Sequence, residues 1–376
     1  MPRDWEAEGL LEGLRGQAKE ARRKLLDELA EDGVSLEELR RAVEEDRLAL
    51  LPVERVLQQG ERRHTAADVA EQSGLEHDFL LRNLQALGLP IPDPEERAFT
   101  DADVEAAKRQ KAFRDASLPA EKLIEASRVI GISMAQVAAA SRELVGDVMV
   151  RPGDTERDVG LRFAAAARHL APMTGEALEY AFNLHLREQI RNEVIDRTQL
   201  ASGGLPGEQE ISVCFADLVG FTSLGEELAP EELGRVTGRL TEMAGEVARA
   251  PVRLVKMIGD AAMLVSPRET DALLDAALEL IDMSEGEEEF PLLRAGVAQG
   301  NAVGRAGDWY GRPVNLASRI TGVAYAGSVL CAKEVFERAE GGYRWSDAGR
   351  KRLRGIDGTV HLYRCRPDGA EAGEPD

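Results

Sequence analysis

Residues 211–223 read I-S-V-C-F-A-D-L-V-G-F-T-S, and no other stretch restricts the possible folds so tightly. Ile211, Val213, Cys214 and Phe215 make the β-branched and aromatic run of a short buried strand. Asp217 arrives where that run ends, Gly220, Phe221 and Thr222 follow, and a helical pattern begins after Ser223. A strand that delivers a carboxylate and then turns through glycine into a helix can hold a cation while its N–H groups face a phosphate. Alone, an Asp at a strand end is more often a turn residue or a helix cap. A second segment alters that balance. Residues 253–265, R-L-V-K-M-I-G-D-A-A-M-L-V, are two strand-like runs around Gly259-Asp260, the pattern of a tight hairpin. Pairing of this hairpin with the earlier strand sets Asp260 beside Asp217. Two neighbouring carboxylates suit Mg²⁺ or Mn²⁺, hard cations that take oxygen ligands and leave positions open for phosphates.

A chain of 376 residues predicts two domains. The formal charge of −21 argues against nonspecific nucleic-acid binding and against docking on anionic membranes. It leaves room for an anionic nucleotide, because a few local cations and metals outweigh a distant acidic surface once salt screens it. No apolar run reads as long enough to span a bilayer and no leader pattern opens the chain, so the expected location is cytoplasmic. The three cysteines, Cys214, Cys331 and Cys365, are odd in number and lack metal-site spacing, which predicts reduced thiols.

In chain order, residues 1–200 are helical by pattern. Leu10, Leu11, Leu14, Ala18, Ala21, Leu25, Leu26 and Leu29 recur at helical spacing up to Asp32-Gly33, and Ser35 with Glu38 reads as a capping box. Residues 64–113 read helix, glycine turn, helix, and resemble the helix-turn-helix of MerR-like regulators. Acids outnumber bases there, so a reused scaffold is favoured over a DNA reader. Residues 118–170 are densely apolar, which predicts core; the other reading is the lining of an apolar ligand pocket. Thr174 then opens a long helical pattern through Leu178, Phe182, His185, Leu186, Ile190 and Val194. The expected division is an all-α domain at 1–200 ending in a long linker helix, a glycine-rich linker at 201–209, an α+β domain at 210–366 and a disordered tail at 367–376. Within 210–366 the order contains βαββαβ, a ferredoxin-like core.

Four further residues complete the pattern. Lys256 lies in the first run of the hairpin, and Asp308, Asn315 and Arg319 stand in G-D-W-Y-G-R-P-V-N-L-A-S-R, the last two one helical turn apart. Singly, each reads as a solvated strand, loop or helix residue. Together with F-A-D-L-V-G-F-T and K-M-I-G-D, they make residues 208–366 resemble a class III nucleotidyl cyclase. The likeness is nearest to the mycobacterial-type soluble adenylyl cyclases that carry an N-terminal helical, autoinhibitory, pH-responsive domain.

That resemblance implies ATP as substrate, and two Mg²⁺ or Mn²⁺ ions per active site held by Asp217 and Asp260. It implies that Lys256 and Asp308 read the adenine edge, that Asn315 orients the ribose and that Arg319 meets charge on the α-phosphate. Arg354 would reach the terminal phosphates, beside the turn at Phe221 and Thr222. It implies a homodimer whose two sites are each shared between subunits. Three other readings compete with this one. A diguanylate cyclase would need a G-G-[DE]-E-F hairpin, which is absent; an inactive cyclase fold would not need both acids and the Asn/Arg pair; a helix-turn-helix regulator rests on 64–113 alone. For pH response the candidates are His169 and His185, because histidine charges between neutral and mild acid. The plainer reading of His185 is a half-buried core histidine, and an apolar ligand at 118–150 is the rival input.

Overall fold

Apolar spacing and glycine punctuation together shape the N-terminal half. The computed structural model describes residues 3–58, 60–200, 208–267, 269–305 and 307–368. Helices α1 (Gly16–Glu31), α2 (Leu36–Glu44) and α3 (Leu51–Gln58) bury Leu25, Leu26, Leu29, Leu39 and Leu51 against Trp5, Leu10 and Leu11. The helix expected from Leu10 begins only at Gly16. Gly9, Gly13 and Gly16 all take positive φ, so the preceding residues form turns that still carry Leu10 and Leu11 into the core. Ser35 caps α2, accepting from the Glu38 N–H at 3.1 Å, but among the described residues the Glu38 side chain does not return to the Ser35 N–H, so the expected capping box is only half formed.

The helix–glycine–helix segment folds as α4 (Ala66–Ser73), Gly74 in the left-handed region at φ 70°, and α5 (His77–Ala86), followed by α6 (Asp101–Asp115). Thr65 with Asp68 and Thr100 with Asp103 close reciprocal capping boxes on α4 and α6. The start of α7 (Ala120–Met149) joins this core, where Ser127 donates to buried Asn83 at 2.6 Å. Beyond Gly131 it leaves it. Ile132, Met134 and Leu144 are exposed, where apolar density predicted core. Apolar density measures what a helix would bury and does not specify the surface that covers it. Within α7, Ala120–Leu144 is also long and apolar enough to cross a membrane by length and composition, which corrects the expectation that no such run exists. The core helix of a globular domain passes the same test.

Helix α8 (Glu156–Leu200) starts well before Thr174 and passes Pro172 without a break. Its first turn is tied down by Arg22 to Glu156 at 2.7 Å and Arg157 to Glu28 at 3.0 Å, and Gly160 sits against the Ala49 carbonyl. These anchors are distant in sequence, so periodicity alone could not place the helix start. By its contacts the chain divides into two compact units, Met1–Ile195 and Asp196–Asp376. Most of the expected linker, 201–207, and most of the expected tail, 369–376, lie outside the described residues.

The second unit is one sheet covered on both faces. In order its elements are β1 (Glu208–Leu218), α9 (Phe221–Glu227), α10 (Pro230–Val247), β2 (Arg253–Ile258), β3 (Ala261–Pro267), α11 (Thr270–Gly286), β4 (Leu293–Arg305), β5 (Asp308–Tyr310), α12 (Arg312–Thr321), β6 (Ser328–Ala332), α13 (Lys333–Arg338), β7 (Tyr343–Lys351) and β8 (Val360–Pro367). The strands lie in the order β2-β3-β1-β4-β6-β8-β7, with β5 paired to β4. The antiparallel group β2-β3-β1-β4 is the expected ferredoxin-like βαββαβ core. Strand β1 is central and buried on both sides. Cys214 and Ala216 face α10 and α11 through Leu240, Met243 and Leu273; Val213 and Phe215 face Leu316, Ala317 and Ile320 of α12.

Candidate active site

Register brings the two acids together. Asp217 pairs with Ala261 across β1–β3, and Asp260 occupies the turn before Ala261, its carbonyl accepting from the Leu218 N–H at 3.2 Å. Gly259 takes φ 62°, a conformation the turn requires and glycine adopts without strain. Burial pushes the Asp260 carboxyl above the usual carboxylate range, and the Asp217 charge beside it adds to the shift. Two like charges held together in a half-buried turn are unfavourable unless a cation joins them.

On the other side of β1, Arg294 pairs with Asp217 across β1–β4, and its guanidinium donates twice to Asp217 Oδ2, at 2.7 and 3.2 Å. Sequence reasoning missed Arg294. Its signal was a charged residue entering the apolar strand L-L-R-A-G-V-A, but its importance follows only from the β1–β4 register. Among the described residues, no group of three or more His, Cys, Asp or Glu side chains could hold a metal ion. The Asp217–Asp260 pair is therefore a sparse oxygen donor set. It fits Mg²⁺ or Mn²⁺ that complete their coordination with substrate phosphates and water, and fits poorly a metal caged by protein alone.

A second juxtaposition lies on β2 and β5. Lys256 Nζ is ion-paired with Asp308 Oδ2, and Asp308 Oδ1 accepts from the Trp309 N–H at 2.8 Å, which fixes the carboxylate's orientation. The two residues expected to read a base edge thus face each other across the chain. Asn315 and Arg319 lie exposed on α12, and among the described residues neither side chain has a hydrogen-bond or ion-pair partner. Arg354 is exposed in the turn after β7. Phe221 begins α9, after Gly220 at φ 77°, and its partly buried ring packs against the α10–α11 core. The Thr222 side chain lies outside the described residues. In the first unit, His169 and His185 are exposed on α8, as are Phe182 and Leu186. The stripe that was to bury His185 is unpacked within the single chain.

Both halves of the chain are similar to known proteins. A family model for the adenylate cyclase regulatory domain matches residues 3–190, and one for the adenylate and guanylate cyclase catalytic domain matches residues 206–365. A pH-sensitive adenylate cyclase of Mycobacterium tuberculosis (strain CDC 1551 / Oshkosh) is 37% identical over 98% of this chain and 94% of its own length. An adenylate cyclase of Streptomyces coelicolor is 31% identical over 76% of this chain and 74% of its own. Among solved structures, the adenylyl cyclase CyaB from P. aeruginosa is 22% identical with a TM-score of 0.39, covering 44% of this chain and 98% of that one. Full-length similarity to a named cyclase and a match in each half lead to one conclusion: the chain belongs to the class III adenylate cyclases that join a regulatory domain to a cyclase catalytic domain.

Proposed function

We propose that this chain converts ATP to 3′,5′-cyclic AMP and pyrophosphate at two equivalent sites shared between the subunits of a homodimer, in the cytoplasm. The observation that carries the reading is the placing of Asp217, Asp260 and Arg294 side by side at one end of β1 and β4. Two Mg²⁺ or Mn²⁺ ions bound there would favour the 3′-alkoxide and neutralise phosphate oxygens. Asp217 and Asp260 supply their ligands, and Arg294 keeps the Asp217 carboxylate aimed. Lys256 offers a donor to adenine N1 and Asp308 an acceptor to the 6-amino group; in the structure these two groups pair with one another. Asn315 orients the ribose. Arg319 meets the charge that develops as the 3′-oxygen bonds to the α-phosphorus and the bond to the β-phosphate oxygen breaks. Arg354 and the backbone at Phe221 and Thr222 hold the terminal phosphates. Purified full-length protein with ATP and Mn²⁺ should form cyclic AMP; absence of turnover under every divalent-metal condition would overturn the reading.

Subunit sharing is supported by the unpartnered Asn315 and Arg319 side chains on the exposed face of α12. Inactive Asp217→Ala mixed with inactive Arg319→Ala should recover part of the activity, because a mixed dimer holds one site without a lesion. Mixed dimers that form yet stay inactive would exclude a shared site.

We further propose that residues 1–200 restrain the catalytic half and that acid relieves the restraint. Support comes from the regulatory-domain match and from the name of the M. tuberculosis relative. The exposed stripe of α8 around His185 gives a protonation event a surface to act on, because a charge there disfavours any apolar contact made by Phe182 and Leu186. Full-length protein should show acid stimulation that the 208–376 fragment largely lacks, and His185→Ala or His169→Ala should blunt it. A fragment with the parent's pH–activity profile would remove the regulatory half as the sensor. The rival input, an apolar ligand, is favoured by the exposed Ile130 and Ile132 of α7, and would appear as stimulation by a lipid at constant pH.

A further inference from the structure

Residues 304–311 read G-R-A-G-D-W-Y-G, one tryptophan among three glycines. Strand β5 takes three of them, Asp308–Tyr310, and among the described residues it pairs with β4 alone. A hairpin arm this short is marginal on its backbone bonds, so side chains must supply the rest. Alternation puts Trp309 on one face of β5 and Asp308 and Tyr310 on the other. Tyr310 is exposed and Asp308 turns to Lys256, whereas Trp309 packs against the apolar core beneath α12.

The partner of that indole is a missing side chain. Register sets Trp309 opposite Gly304, and a Cβ at Gly304 would stand 3.5 Å from ring atoms Cη2 and Cζ3 and 3.7 Å from Cε3. The ring thus covers β4 where that strand carries no side chain, and an aromatic ring laid on a cross-strand glycine pins the register of the pair. Beyond Tyr310, Gly311 comes so close to β4 that a Cβ there would stand 2.8 Å from the Asn301 carbonyl oxygen. That approach secures the end of the segment that enters α12. Trp309 secures the end that carries Asp308. The same residue also aims the carboxylate, because its N–H donates to Asp308 Oδ1 at 2.8 Å and leaves Oδ2 to Lys256.

We propose that Trp309 is a positioning residue for purine choice: its indole, laid on Gly304, holds β5 in register, and its N–H holds the Asp308 carboxylate toward the base. The proposal rests on the base-reading role given above to Lys256 and Asp308. A carboxylate held in place accepts from the 6-amino group of adenine and opposes the 6-carbonyl oxygen of guanine; one that wanders does neither well. Discrimination of this kind comes from polar groups that only the right base satisfies, so it is lost with position.

Calorimetric titration of full-length protein with 3′-deoxy-ATP and 3′-deoxy-GTP in Mg²⁺ reads base preference without turnover, since neither nucleotide carries the attacking hydroxyl. Trp309→Ala should shrink the parent's preference for the adenine nucleotide at least fivefold, chiefly by weakening that nucleotide. Gly304→Val leaves Trp309 in place and crowds its ring; it should do the same, and it carries the test if Trp309→Ala does not fold. Trp309→Phe keeps a ring over Gly304 and should stay within threefold of the parent. Gly304→Ala, whose Cβ meets the ring at ordinary contact distance, should stay within twofold. The proposal is overturned if Trp309→Ala and Gly304→Val both keep the parent's preference within twofold. It is also overturned if Trp309→Phe or Gly304→Ala loses as much as the harsher change at its position. Equal weakening of both nucleotides overturns it too, leaving Trp309 a structural role only. A parent that binds the two purines alike would overturn it together with base reading by Lys256 and Asp308. Absence of cyclic AMP from ATP would instead overturn the cyclase reading and leave the binding preference untouched, so the two failures are separate results.

Discussion

Asp260→Ala is expected to lower kcat for cyclic AMP formation by roughly a thousandfold or more, on the scale of losing a principal charge-stabilising group. The chain should remain folded, and the sign of the carboxyl shift explains why. Burial and the neighbouring Asp217 raise the Asp260 pKa in the fold, so the folded, metal-free protein disfavours the ionised form. A raised folded pKa means this group contributes stability only while protonated, and that contribution is lost as pH rises through the folded pKa. Above that raised pKa the metal-free parent carries a carboxylate that burial and Asp217 disfavour, and there Asp260→Ala should melt at the same temperature or slightly higher in EDTA. With Mn²⁺ the order reverses, because only the parent gains from the cation. The same titration sets metal affinity: protons compete at Asp260, so Mn²⁺ binding weakens as pH falls through its raised pKa. Calorimetric melting with and without Mn²⁺, beside a cyclic AMP assay, reads all of this. Full activity in Asp260→Ala would sink Asp260 as a metal ligand.

Much of this site was legible because its parts are local. The strand ending in Asp217 and the hairpin tip at Asp260 each announce themselves within a dozen residues, and antiparallel pairing then joins them. Arg294 was not legible, because its role depends on facing Asp217 across a pairing of residues 77 apart. The Lys256–Asp308 ion pair is similar: each residue drew notice, but their mutual contact spans 52 residues. In the first unit the sequence misled where local signals compete. Apolar spacing at Leu10 argued for helix, and three glycines with positive φ prevailed. Density at 118–150 argued for core, yet Ile132 and Leu144 face outward, because a sequence records the wish to bury and not the burying surface. A long helical pattern was expected to open at Thr174, yet α8 already begins at Glu156 and runs through Pro172.

Gly296→Val is expected to cost about 3 kcal/mol of stability, the upper part of the range for overpacking a filled core, and to reduce kcat by about a hundredfold. Gly296 lies in β4 between Phe215 and Leu330, directly beneath α12. A Cβ at this position would stand 2.3 Å from the Thr321 nitrogen, 2.5 Å from its Oγ1 and 2.6 Å from the Ala317 carbonyl oxygen. Two of these atoms are helix backbone and cannot rotate away. Thr321 also donates to the Phe215 carbonyl at 3.2 Å, fastening α12 to β1 at the same point. A larger residue must therefore lift the helix, and Asn315 and Arg319 ride on it. A shift of about 1 Å in a charge-stabilising group is enough to lose on the order of a hundredfold in rate. Gly296→Ala should fall between parent and Val. Gly322→Ala, just past the same helix, would meet nothing nearer than 3.6 Å and should change neither property. Denaturant unfolding and steady-state kinetics on these three variants separate the two effects. If Gly296→Val kept the parent's stability and turnover, α12 would not rest on β4 at this glycine, and the placing of Arg319 by that contact would be wrong.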